Sequence, residues 1–132
     1  YRSLSACIGY TYFLCWSVSF YPQIMTNYRR KTTSGLSPDF CVLNVLGFLC
    51  YGTYCTAMFG SSHIQALYRE RYGADAEISV QSNDVAFAIH AAFMASVTLV
   101  QIGYYGGRSQ QTSKLISSVI VGIFVVAITG FC

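Results

Sequence analysis

The feature that most constrains this chain is where its charges are not. Its 13 Asp, Glu, Lys and Arg residues sit at its start, at Asp39 and Asp84, and in short clusters, and they leave four long stretches with almost none. Leu4 to Asn27, Phe40 to Gly60, Val85 to Tyr105 and Leu115 to Cys132 each approach the ~20 apolar residues that a helix needs to cross a bilayer. With 54% hydrophobic and 10% charged residues in a length of 132, the chain is suited to lipid rather than water. Spanning segments must satisfy their own backbone hydrogen bonds, so they are expected to be helices. The composition excludes a disordered chain. It also excludes a nucleic-acid binder, because the cations are scattered between apolar runs instead of lining one face. The first run carries Pro22, Gln23 and Asn27 and no clear small-residue cleavage site, which argues for a span rather than a signal peptide. Because the sequence starts at Tyr1 and stops at Cys132 within an apolar run, it reads as a piece of a longer protein.

The connecting segments set an expected orientation. Tyr28 to Pro38 holds Arg29, Arg30 and Lys31, and Gly106 to Lys114 holds Arg108 and Lys114, whereas Tyr68 to Asn83 mixes Arg69 and Arg71 with Glu70, Asp75 and Glu77. The positive-inside rule therefore puts loops 28–38 and 106–114 in the cytosol, and the N-terminus and the second loop on the opposite side. The six cysteines lie in or beside the spans, which does not suit a disulfide framework. His63 and His90 are far apart and there is no Cys-x-x-Cys, so no metal is expected. No arrangement suited to catalysis is evident, and the chain is not expected to be an enzyme.

Polar groups within a span are costly, so each is either interhelical glue or a functional residue. Pro22 removes a backbone donor and leaves the Val18 carbonyl unpaired, which predicts a kink or hinge, and the amide of Gln23 could fill that gap. Trp16, Phe20, Gln23 and Asn27 fall on one helical face, aromatic at one end and polar at the other. Asn44 is a lone amide near Gly47, open both to interhelical bonding and to solute contact. Ala88, Ala92 and Ser96, with Ala91 and Ala95 beside them, form a small-residue packing seam, and His90 stands between the rows as a structural group or a proton relay. Asp84 opens the third span, where it can cap the helix or take up a proton at the membrane boundary; Asp39 has the same two readings, with more weight on capping.

In order along the chain, Ser19-Phe20-Tyr21-Pro22-Gln23, Asn27-Tyr28-Arg29-Arg30-Lys31, Ser34-Gly35-Leu36-Ser37, Asp39-Phe40, Asn44, Gly47 and Ser82-Asn83-Asp84-Val85 resemble the signature of PQ-loop transporters. The resemblance runs from about Gly9 to Tyr105 and is strongest to the lysosomal cystine exporters of that family. It implies an all-α membrane protein of seven helices, two three-helix repeats joined by a linker. In that scheme residues 1–106 are the first three-helix bundle (spans about 4–27, 40–60 and 85–105), and 107–132 are a cytosolic loop and part of the linker helix. The implied activity is proton-coupled export of L-cystine from the lysosome lumen by alternating access. Pro22 would be the hinge, Asp84 the proton-coupling acid, and Gln23, Asn44, Trp16 and Phe20 the substrate pathway, with Asp39 and His90 as lesser candidates. Implied partners are cystine, protons, the bilayer and a second PQ-loop repeat, and no cofactor is implied. The competing readings are a PQ-loop receptor or scaffold that transports nothing, a carrier of basic amino acids or sugars, and a homodimer that closes a small pore.

Overall fold

The computed structural model describes residues 2–106 and 112–130, all helix and connecting loop. Five helices follow one another: α1 (Arg2–Arg30), α2 (Pro38–Gly60), α3 (Ser62–Tyr72), α4 (Ser82–Tyr105) and α5 (Lys114–Gly130). Most of the expected loop 106–114, with Arg108, and the end of the fourth stretch at Cys132 lie outside the described residues.

Among the described residues, α2 and α4 are long and apolar enough to cross a membrane. The expectation of four such segments is thus met in full by two. α1 has the length, with 29 residues, but Ser, Thr, Tyr and Gln dilute its apolarity, and α5 has 17 described residues. The helices also run beyond the apolar stretches. α2 starts two residues early because Pro38 is suited to a first helical turn and the Ser37 hydroxyl accepts the Phe40 N–H at 3.3 Å. α4 starts at Ser82, where the Asp84 carboxylate accepts the Gln81 N–H at 2.8 Å and closes a capping box.

α3 falls in a region read from the sequence as plain connecting chain. Ser61 both ends α2, donating its N–H to the Ala57 carbonyl, and starts α3, its hydroxyl accepting the Ile64 N–H at 3.4 Å. Gln65 then donates to the carbonyls of Met58 and Phe59 at 2.9 and 3.0 Å, and so satisfies the open end of α2.

α4 packs against both α1 and α2 and joins them. The alanine seam makes this possible: Ala88 and Ala91 are fully buried and Ala95 nearly so, and a β-carbon placed on Gly52 of α2 would stand 3.8 Å from that of Ala88. At one end α1 comes close to α4, where a β-carbon on Gly9 would lie 2.7 Å from the Asn83 amide nitrogen. Outward faces are strongly apolar, with Val18, Phe93, Val100 and Tyr104 all 62% exposed or more. In water such a surface would aggregate, and in a bilayer it faces acyl chains.

Candidate functional site

Two cavities lie along the groove between α1 and α2, with α4 as its floor, and a third continues them between the end of α1 and the loop that follows it. The first, about 400 Å³, is lined by Gly9, Tyr12 and Phe13 of α1, by Asn44, Phe48 and Tyr51 of α2, and by Asn83, Asp84 and Phe87 of α4, among others. The second, about 150 Å³, is lined by Ser19, Phe20, Gln23, Leu36, Phe40, Cys41, Asn44, Ala95 and Thr98. A third, about 250 Å³ and more polar, includes Gln23, Asn27, Arg30, Thr32 and Leu36. Asn44 borders the first two, and Gln23 and Leu36 border the last two, so neighbouring cavities share walls.

Between the first two stands an aromatic contact. Phe48 lines one and Phe20 the other, and the rings meet edge-on with centroids 5.9 Å apart. Phe87 backs Phe48 at 6.2 Å, and His90 lies 6.3 Å from both Phe13 and Phe20. Edge-to-face rings at these distances attract by about 1 kcal/mol per pair, enough to hold a contact closed but readily opened.

The structure therefore gathers Phe20, Gln23 and Asn44 around one cavity and Asn44 and Asp84 around the next. Asp84 is half-buried, and its second carboxylate oxygen makes no hydrogen bond to the described residues. Capping and cavity lining coexist in this one side chain.

Other expected residues are placed differently. Trp16 lies outside these linings: the residue is 48% exposed and its ring leans on Tyr12 at 6.1 Å. On α1 it falls between Phe13 of the first cavity and Ser19 of the second. Asp39 stands in the first turn of α2, as the capping reading expects of an acid, but Ser37 makes the cap hydrogen bond; Asp39 Oδ1 accepts the Ser113 N–H at 2.7 Å and ties the start of α5 to the start of α2. His90 packs against α1, with Nε2 3.3 Å from the Tyr21 hydroxyl and Nδ1 buried without a hydrogen bond among the described residues.

α1 remains helical through Pro22. The amide of Gln23 does not turn back to the Val18 carbonyl as expected; it reaches forward one turn and donates to Asn27 Oδ1 at 2.8 Å. Asn27, only 3% exposed, donates in turn to Gln101 Oε1 at 2.9 Å, and Gln101 Nε2 donates to the Ile24 carbonyl at 3.1 Å. Sequence reasoning missed Gln101. Its signal was the same one that marked Gln23: an amide within a span that must find a partner.

Comparison with known proteins fits this geometry. Residues 4–63 match the PQ loop repeat family. The chain is 39% identical to a cystinosin homolog of Dictyostelium discoideum, over 97% of its own length and 46% of that protein. It is 42% identical to the cystinosin of Bos taurus over 89% of its length and 32% of the relative. It is 31% identical to a cystine transporter of Saccharomyces cerevisiae, over 76% of its length and 37% of that protein. The chain thus spans less than half the length of these curated relatives. With a PQ loop repeat over residues 4–63 and its likeness to cystinosins along most of its length, the chain belongs to the PQ-loop family of membrane proteins.

Proposed function

We propose that this chain is the first repeat, with part of the linker, of a seven-helix transporter that exports L-cystine from the lysosome lumen together with protons. Names and similarity of the relatives support cystine as the solute. The observation that carries the transport reading is the series of cavities along α1, two of them against α2 and the third against the α1–α2 loop, which runs from Asp84 past Asn44 and Gln23 to Arg30.

By the positive-inside rule the Arg29, Arg30 and Lys31 end faces the cytosol, and Asp84 faces the lumen. α1 and α5 complete the set of spans with α2 and α4. In this reading the Phe20–Phe48 contact is the closed point between a lumenal cavity and the two cytosolic ones. α1 rocks about Pro22 to open it, and a second repeat provides the facing wall, as in transporters built from two repeats. Asn44 and Gln23 offer neutral hydrogen bonds to the polar ends of the solute. Asp84 takes a lumenal proton and releases it when the cytosolic side opens. One proton moving down a gradient of about two pH units supplies nearly 3 kcal/mol, roughly a hundredfold bias.

The test is flux through the full-length protein in proteoliposomes. Cystine movement that is concentrative and follows an imposed pH gradient is expected. A protein that reconstitutes intact yet moves neither cystine nor a basic amino acid or sugar under any gradient is a receptor or scaffold, and the transport reading falls; one that carries another of these solutes but not cystine refutes the substrate.

A further inference from the structure

The hydrogen bonds that join Gln23, Asn27 and Gln101 have a direction, and one atom of the main chain sets it. The Ile24 carbonyl can only accept, so the Gln101 side chain must turn its NH2 group toward it, at 3.1 Å. Gln101 Oε1 is then the atom that faces Asn27 and must receive the Asn27 NH2, at 2.9 Å. That leaves Asn27 Oδ1 to accept from Gln23 Nε2, at 2.8 Å. Oxygen and nitrogen of an amide are usually assigned by their surroundings; here each assignment follows from the one before it. At the end of the ladder Gln23 has its NH2 engaged, and its Oε1 is hydrogen-bonded to none of the described residues. Gln23 lines both the second and third cavities.

We propose that Gln101 and Asn27 are positioning residues that hold the Gln23 amide in one of its two orientations, so that it presents a hydrogen-bond acceptor to the groove. The group suited to that oxygen is a protonated amine, such as an amino-acid substrate carries. A freely flipping amide would spend part of its time offering NH2 to the same ammonium, which repels it. The inference rests on the transport reading for its substrate, but the ladder itself is a property of the fold.

The experiment is a double-mutant cycle in the full-length protein, with cystine uptake and side-chain amide NMR as readouts. Gln101→Met removes the anchor and is expected to raise KM about tenfold, the factor that one hydrogen bond to a charged group is worth, with kcat within about twofold. In a Gln23→Met background the same change should alter KM by less than about twofold, because Gln101 acts only through Gln23. Equal effects in both backgrounds, or a loss of protein with KM unchanged, would overturn the proposal. Gln101→Glu keeps an acceptor for Asn27 and, when its carboxyl is protonated, a donor for the Ile24 carbonyl, so at acidic pH it keeps the ladder's direction. There it should leave KM within about threefold, and a tenfold rise would count against the idea even if Gln101→Met does not fold. The NMR arm is independent of transport. Gln101→Met should shift the Gln23 side-chain amide resonances, identified by their loss in Gln23→Met. If unmutated protein moves no cystine, the transport reading has failed while this arm still decides the ladder, and unshifted Gln23 resonances would refute it.

Discussion

Replacing Asp84 by Asn separates its capping role from the proposed proton uptake, because the cap uses one carboxylate oxygen only. One carboxylate oxygen accepts the Gln81 N–H at 2.8 Å, and an Asn oxygen can do the same. What Asn loses is the charge in the first turn of α4, where an acid gains about 0.3–1 kcal/mol from the helix dipole. Stability should therefore fall by less than about 1 kcal/mol, a shift of a few degrees in melting temperature at most. Coupling should be lost outright, since an amide carries no titrating proton. With a gradient of about two pH units, accumulation driven by one proton is about a hundredfold, and it should drop to the level reached without a gradient. Asp84→Ala is the control: it loses the cap as well, adding about 1 kcal/mol of destabilisation with the same loss of coupling. The assay is cystine accumulation in proteoliposomes with and without an imposed gradient, next to thermal unfolding of the same preparations. Asp84→Asn protein that still accumulates cystine in response to pH would refute Asp84 as the coupling acid.

Other perturbations test other parts of the account. Pro22→Ala restores a backbone donor in the middle of α1, and it should slow turnover by several-fold while cystine affinity changes little; unchanged turnover would make Pro22 a packing residue only. Gly52→Ala should stabilise the protein by about 0.5–1 kcal/mol, because Ala is the better helix former and its methyl meets Ala88 at an ordinary 3.8 Å. Ala88→Leu should destabilise it by about 2 kcal/mol or more, since Ala88 has no exposed surface and the α2–α4 seam has no room for a branched side chain. Thermal unfolding in detergent measures both, and a stabilising Ala88→Leu would mean that the seam is looser than described. Asn44→Ala should raise the KM for cystine several-fold, because Asn44 borders two cavities, and an unchanged KM in folded protein would leave it as interhelical glue.

The parts of this structure that were legible in the sequence are those that follow from cost. Charge-free runs of about 20 residues have few alternatives to helices, and the alanines every fourth residue from Ala88 pointed to the seam on which α2 packs. Amides in such runs are too expensive to be idle, which is why Gln23 and Asn44 were identified and do border the same cavity. Helical spacing alone carried less. Trp16 shares the face of Phe20 and Gln23, yet spacing gives a direction on one helix and says nothing of where the neighbouring helices leave a cavity along it. The fate of Asp39 depended on a partner 74 residues away, Ser113, which no local pattern announces. α3 was missed for a different reason. Its apolar residues Ile64, Leu67, Tyr68 and Tyr72 recur with helical period but are diluted by Arg69, Glu70 and Arg71, and the Ser61 cap that starts it looks like any polar residue at the end of a span.

The account's central claim is that the groove between α1 and α2 is a route for solute that opens to each side of the membrane in turn. Asn44 borders the cavities on both sides of the Phe20–Phe48 contact, which makes it the position to probe. Asn44→Cys, in a protein whose own cysteines have been replaced, can be challenged in sealed vesicles with a thiol reagent that does not cross lipid, applied from one side and then from the other. The account predicts reaction from both sides in cycling protein. A thiol at position 44 that reacts from neither side would mean that the groove is sealed packing and not a path.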